Sequence, residues 1–152
     1  MYDHIGLQVK DVTASTKFYQ AALGGLGHVL ASQDETGAGL GPKGAPALWL
    51  YKSAKATGGS HGGGSHIAFQ AASRSAVDRF YRDGIKAGGT DNGKPGIRAD
   101  YSANYYAAFL IDPEEWRCRH DLANGVEQGA ELLWASDVAT EDDDAAGFDF
   151  LD

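Results

Sequence analysis

Cysteine, methionine and proline are scarce in this chain, with 1, 1 and 4 copies among 152 residues. The lone Cys118 excludes an intrachain disulfide and suits a reducing compartment. No apolar run approaches the roughly 18–20 residues that a membrane-spanning helix needs. Asp3 and His4 interrupt the N-terminus too early for the basic-then-apolar pattern of a secretory leader. The expected location is therefore the cytoplasm, with no membrane partner. Positive charge is missing from one whole region. Residues 1–119 hold all 13 Lys and Arg against 11 acids, whereas residues 120–152 hold the other 10 acids and no Lys or Arg. The net charge of −8 thus belongs to the C-terminal segment. No clustered basic face is present, which argues against a nucleic-acid partner. The acidic segment reads as a solvated, solubilising tail. Its apolar residues Leu132, Leu133, Trp134, Phe148, Phe150 and Leu151 leave docking on the body, or on a second copy, as the alternative.

What is present is an internal repeat. An offset of 62 residues aligns His4-Ile5 with His66-Ile67, Gln8 with Gln70, Phe18-Tyr19 with Phe80-Tyr81, and Gly27 with Gly89. A constant offset across so many pairs is hard to obtain by chance. In each half the leading segment alternates with period two, as a half-buried strand does. Ile5, Leu7 and Val9 share one face and His4, Gly6 and Gln8 the other. Residues 11–13 supply a helix cap, and an apolar stripe through Phe18 and Ala22 ends at Gly24-Gly25. In the second half Ile67, Phe69 and Ala71 alternate with His66, Ala68 and Gln70. Ser73 or Ser75 caps a helix carrying Val77, Phe80 and Ile85.

Shorter strand-like segments follow at 28–33, 37–41 and 45–51, and again at 97–101, 104–111 and 116–122. Residues 58–64 and 90–96 read as loops by their glycine content. The 58–64 run lacks a following Lys-Ser or Lys-Thr at a helix start, so it is no phosphate-binding loop. The expected fold is α+β, with two βαβββ modules forming curved, open-barrel-like mixed sheets and the helices outside. The modules span 1–57 and 65–122, joined by the linker 58–64 and followed by the tail 123–152.

Tyr2 to Val9 with Ser15 to Tyr19, Ser65 to Phe69, Gly41 to Tyr51 and Asn104 to Pro113 together resemble the vicinal-oxygen-chelate (glyoxalase, bleomycin resistance, dioxygenase) superfamily over about residues 2–115. The resemblance implies that each module forms half of an open barrel whose cleft holds a divalent metal, with His4 and His66 at the ligand positions of the leading strands. It also implies a glutamate several residues after an Asp-Pro turn. Here Asp112-Pro113-Glu114 is followed by Glu115-Trp116-Arg117-Cys118-Arg119, so Arg119 stands where that glutamate would be. An exchanged or frameshifted 3′ end would also produce such a break, which a shifted frame encoding Gly-Asn-x-x-Glu would reveal.

A catalytic divalent ion needs three or four protein donors and an open position. His4 and His66 offer two, and an arginine beside them opposes a dication. A bulge turning His120 inward would add a third imidazole; Glu114, Glu115 or a partner's tail would add a carboxylate. Otherwise the metal is absent and Arg119 belongs to an anion-binding cleft. The cofactor is thus one divalent metal (Zn, Ni, Fe, Mn or Mg) or none. Trp49, Tyr51, Arg98, Tyr105 and Tyr106 are the candidate cleft residues. Three functions follow: a metal-dependent lyase, isomerase or dioxygenase; a metal-free protein that binds a small-molecule ligand, of the drug-sequestering kind; and a non-catalytic homodimeric scaffold.

Overall fold

A computed structural model describes residues 2–56 and 66–114. The linker 58–64, the segment 116–122, the tail, and the residues Glu115, Cys118, Arg119 and His120 lie outside the described residues. The elements are β1 (Ile5–Val9), α1 (Val12–Gly24), β2 (Val29–Gln33), β3 (Gly37–Gly41), β4 (Leu48–Lys52), α2 (Arg74–Lys86), β5 (Thr90–Ile97) and β6 (Tyr106–Ile111).

The first half forms the expected βαβββ unit. Its four-stranded sheet has the order β1-β4-β3-β2, with β1 parallel to β4 and the other pairs antiparallel. Asp11 caps α1, its side chain accepting from the backbone N–H of Ala14 at 2.9 Å. This satisfies one of the donors that a helix start leaves unpaired. In the second half Ser73 caps α2 in the same way through Ala76 N–H at 3.2 Å.

Two expectations for the second half need correction. Residues 90–96 are no loop: strand β5 runs Thr90–Ile97 and pairs with β6. Gly93, Pro95 and Gly96 disguised it. The register shifts between Asp91 and Gly93 and again between Gly93 and Gly96. Such irregularities leave room for a proline that cannot donate to a ladder. The chain expected as strand at 97–101 instead turns back, with Tyr101 and Ser102 N–H both donating to Arg98 C=O. The second correction concerns residues 66–69, which form no strand, and Gln70, which makes only an isolated bridge. Burial still alternates there, with Ile67 and Phe69 packed against the core and His66, Ala68 and Gln70 exposed. In the first half the equivalent strand pairs, among the described residues, with β4 alone.

One apolar core serves both halves. Phe18 of α1 is fully buried against the second half. A Cβ added to Gly89 would lie 2.5 Å from its Cε2, and one added to Gly84 of α2 would lie 3.6 Å from Cε2 and 3.3 Å from Ala22 Cβ. The missing side chains let α1, α2 and β6 approach closely. The Asp-Pro turn after β6 ties the halves a second time. Asp112, 2% exposed, accepts from Tyr19 Oη at 2.9 Å. Glu114 accepts from the backbone N–H groups of Lys10 (2.8 Å) and Asp11 just ahead of α1. A carboxylate at a helix N-terminus is also favoured by the helix dipole. Among the described residues no helix is long and apolar enough to cross a membrane.

Candidate functional site

The helix-free side of each sheet follows from strand alternation. Leu48 and Leu50 of β4 lie in the core under α1, so Trp49 and Tyr51 face the other way. Across the ladders Trp49 is registered with Gly6 and Gly39, and Tyr51 with Gln8 and Gly37. The glycines determine how the rings lie. A Cβ on Gly39 would stand 2.8 Å from Trp49 Cζ3, and one on Gly6 would stand 3.0 Å from Tyr51 Cε2. The indole therefore leans over β3 and the phenol over β1. The result is a low aromatic floor, with Trp49 partly covered and Tyr51 49% exposed.

His4 continues this face by one alternation beyond Gly6, at the point where Ile5 N–H donates to Ala47 C=O. Its side chain is 53% exposed, and its Nδ1 lies 2.7 Å from Asp3 Oδ1. His66 is exposed and is the first described residue after the linker. Among the described residues no three His, Cys, Asp or Glu side chains gather where they would hold a metal ion. Glu114, weighed as a ligand, spends its two oxygens on the backbone ahead of α1. The described residues alone therefore do not fit a catalytic metal.

The second sheet presents a different helix-free face. Ala108 and Leu110 belong to the core, so Phe109 faces away from α2. The Arg98 guanidinium lies over the Phe109 ring, 5.0 Å from its centroid. Arg98 N–H also closes the β5–β6 connection on Tyr105 C=O at 2.7 Å. Tyr105 meets Tyr101 in a tilted ring contact with centroids 5.1 Å apart, and Tyr101 is 67% exposed at the turn. Tyr106 goes to the helix side. Its hydroxyl donates to Asp78 of α2 at 2.7 Å, under the Arg74 guanidinium. Asp78 holds the phenol pKa above its ordinary value, since the bond favours the protonated form. Of the sequence candidates, the structure brings Trp49, Tyr51 and His4 to one face and Arg98 to another, and it takes Tyr106 to α2.

Sequence reasoning missed Phe109 and the glycine bed beneath the aromatic rings. A signal for each existed. Phe109 sits one residue out of phase with Ala108 and Leu110, and Gly37, Gly39 and Gly41 recur with the strand period of two.

Comparison with known proteins agrees with this architecture. The glyoxalase/bleomycin resistance protein/dioxygenase superfamily profile matches residues 2–118. A glyoxalase/bleomycin resistance protein from Albidiferax ferrireducens T118 is 31% identical, with a TM-score of 0.65 over 76% of this chain and 93% of that one. A protein from Agrobacterium tumefaciens, solved in solution, is 22% identical, with a TM-score of 0.55 over 82% of this chain and 98% of that one. A glyoxalase/bleomycin resistance protein/dioxygenase family enzyme from Burkholderia phytofirmans PsJN is 20% identical, with a TM-score of 0.54 over 74% and 90%; these last two likenesses concern the fold alone. No functionally curated protein matches the chain. The profile spans most of the sequence and the first relative agrees in sequence as well as in fold, so this chain belongs to the glyoxalase/bleomycin resistance protein/dioxygenase superfamily.

Proposed function

We propose that the protein is a metal-free binder of small planar aromatic molecules, taken up on the helix-free face of the first sheet. One observation carries this reading: Trp49 and Tyr51 lie low over glycines, forming a floor on which a flat ring stacks without displacing a side chain. Offset stacking contributes about 0.5–1.5 kcal/mol per ring pair beyond the apolar area it buries. The position of Arg119, where the resemblance calls for a glutamate, fits the same reading. A homodimer in the cytoplasm is the proposed working form. Within one chain α1 packs on α2, which leaves the helix-free faces for a ligand and a second copy.

The test is calorimetric titration with a neutral planar arene such as 2-naphthol. Saturable binding that weakens roughly tenfold or more in Trp49→Ala is expected from the loss of stacking and burial. Equal binding by the variant would refute the floor.

A metal-dependent lyase, isomerase or dioxygenase acting on a small oxygen-rich substrate is the second reading. Asp3 supports it, because a carboxylate at Nδ1 leaves Nε2 of His4 as the nitrogen with a free lone pair, as in many metal-ligating histidines. Stoichiometric metal in protein purified without chelator, lost in both His4→Ala and His66→Ala, would establish this reading in place of the first.

A further inference from the structure

The guanidinium of Arg98 is held in an unusual way for a surface arginine. Its Cζ lies over the Phe109 ring, 5.0 Å from the centroid, and its Nη2 donates to Lys94 C=O at 2.5 Å. Beneath it β5 carries glycine: a Cβ on Gly93 would stand 3.2 Å from Nη2, and one on Gly96 would stand 3.6 Å from Nη1. The ring contact, the carbonyl and the glycine bed hold the fork in place. Among the described residues they use only one of its donors on protein. Among the described residues no carboxylate pairs with Arg98. Asp91, the acid nearest along β5, is engaged elsewhere, with Gly93 N–H and the Tyr81 hydroxyl.

We propose that Arg98, seated on Phe109, is a preorganised binding site for the carboxylate group of a small organic acid. Arginine suits this task because its planar donors match the two oxygens of a carboxylate in a bidentate pair. Ordering a long side chain normally subtracts from binding. Here the aromatic face and the Lys94 carbonyl have already ordered it. Phe109 contributes further, since a desolvated cation–π contact strengthens as the ligand covers it. This site is carried by β5, β6 and Arg98 just past the end of β5, and does not depend on the aromatic floor of the first sheet.

The experiment uses benzoate as the probe, with benzyl alcohol as the uncharged control of similar ring size. In the 15N-labelled full chain, benzoate should shift the Arg98 Nε–Hε resonance along a saturable curve, and benzyl alcohol should leave it in place. Arg98→Gln should weaken benzoate binding roughly tenfold or more, the loss expected for a charge-assisted hydrogen bond. Arg98→Lys, which keeps the charge without the planar fork, should fall between the two. Trp49→Ala should leave the Arg98 shift intact, so failure of the aromatic floor and failure of this site are distinguishable. An Arg98 resonance that benzoate does not move overturns the proposal, and that measurement needs no variant to fold. Equal binding by Arg98→Gln and wild type overturns it as well.

Discussion

The two halves share a sequence pattern and differ in how it is completed. In the first half β1 is held by β4, and the module closes into four strands. In the second half residues 66–70 keep the alternating burial of a strand without its ladder, and the described sheet is the β5–β6 pair. In the first half the leading strand β1 pairs, among the described residues, with β4, the last strand of its module. Periodicity therefore specifies which side chains turn inward, while ladder formation waits on a segment far away in sequence. The contact between the halves is also unequal. Tyr19 is fully buried and its hydroxyl meets buried Asp112, whereas the repeat-equivalent Tyr81 is only partly covered and shares a hydrogen bond with exposed Asp91.

The largest effect should come from removing the repeat-equivalent core rings. Phe18→Ala and Phe80→Ala should each lower unfolding free energy by about 3–5 kcal/mol, read by urea denaturation. Phe18 bridges to Gly84 and Gly89 of the other half. Its loss should therefore also unfold the halves in separate transitions, and a single sharp transition in Phe18→Ala would remove the bridging role. Next comes the unequal tyrosine pair. Tyr19→Phe leaves a buried carboxylate one partner short and should cost about 1–3 kcal/mol. Tyr81→Phe, at a more exposed site, should stay within roughly 0.5 kcal/mol. Equal losses would erase the distinction between the two halves.

The helix caps should behave alike. Asp11→Ala and Ser73→Ala should each cost about 1 kcal/mol by the same denaturation measurement. A much larger loss for Asp11 would mean that the Glu114 contact beside it depends on the cap. The smallest effect concerns pH. His28 packs edge-on against Phe69 of the second half at 5.6 Å, and its buried Nδ1 has no hydrogen-bond partner among the described residues. Burial lowers its pKa, because the charged form loses water. The unfolded chain then takes up the proton more readily than the folded one. The contribution to stability is complete above the unfolded value of about 6.5 and falls away as pH drops below it. His28→Phe should flatten that part of the stability–pH curve; an unchanged slope would assign it to other groups.

Much of this arrangement was legible before any coordinates. The offset of 62 residues, the alternation of His4 to Val9 and the cap regions at 11–13 and at Ser73 or Ser75 are local signals, and the first module and both helices follow them closely. β5 was hidden because its glycines and proline occupy irregular positions in the ladder, where composition and strand pairing part company. The cleft candidates fared unevenly for a related reason. Tyr105 and Tyr106 are neighbours in sequence, and a shift of one residue decides whether a strand side chain meets α2 or the open face.

By itself the sequence determined the α+β class, the duplicated pattern and the superfamily, because hydrophobic period, caps and turns are written in short stretches of chain. Only the tertiary structure decided that Trp49 and Tyr51 lie down over glycines, that Glu114 serves the backbone ahead of α1, and that Arg98 rests on Phe109. Each of these is a contact across strands or between halves. Its free energy depends on which residues face one another, and pairing alone settles that.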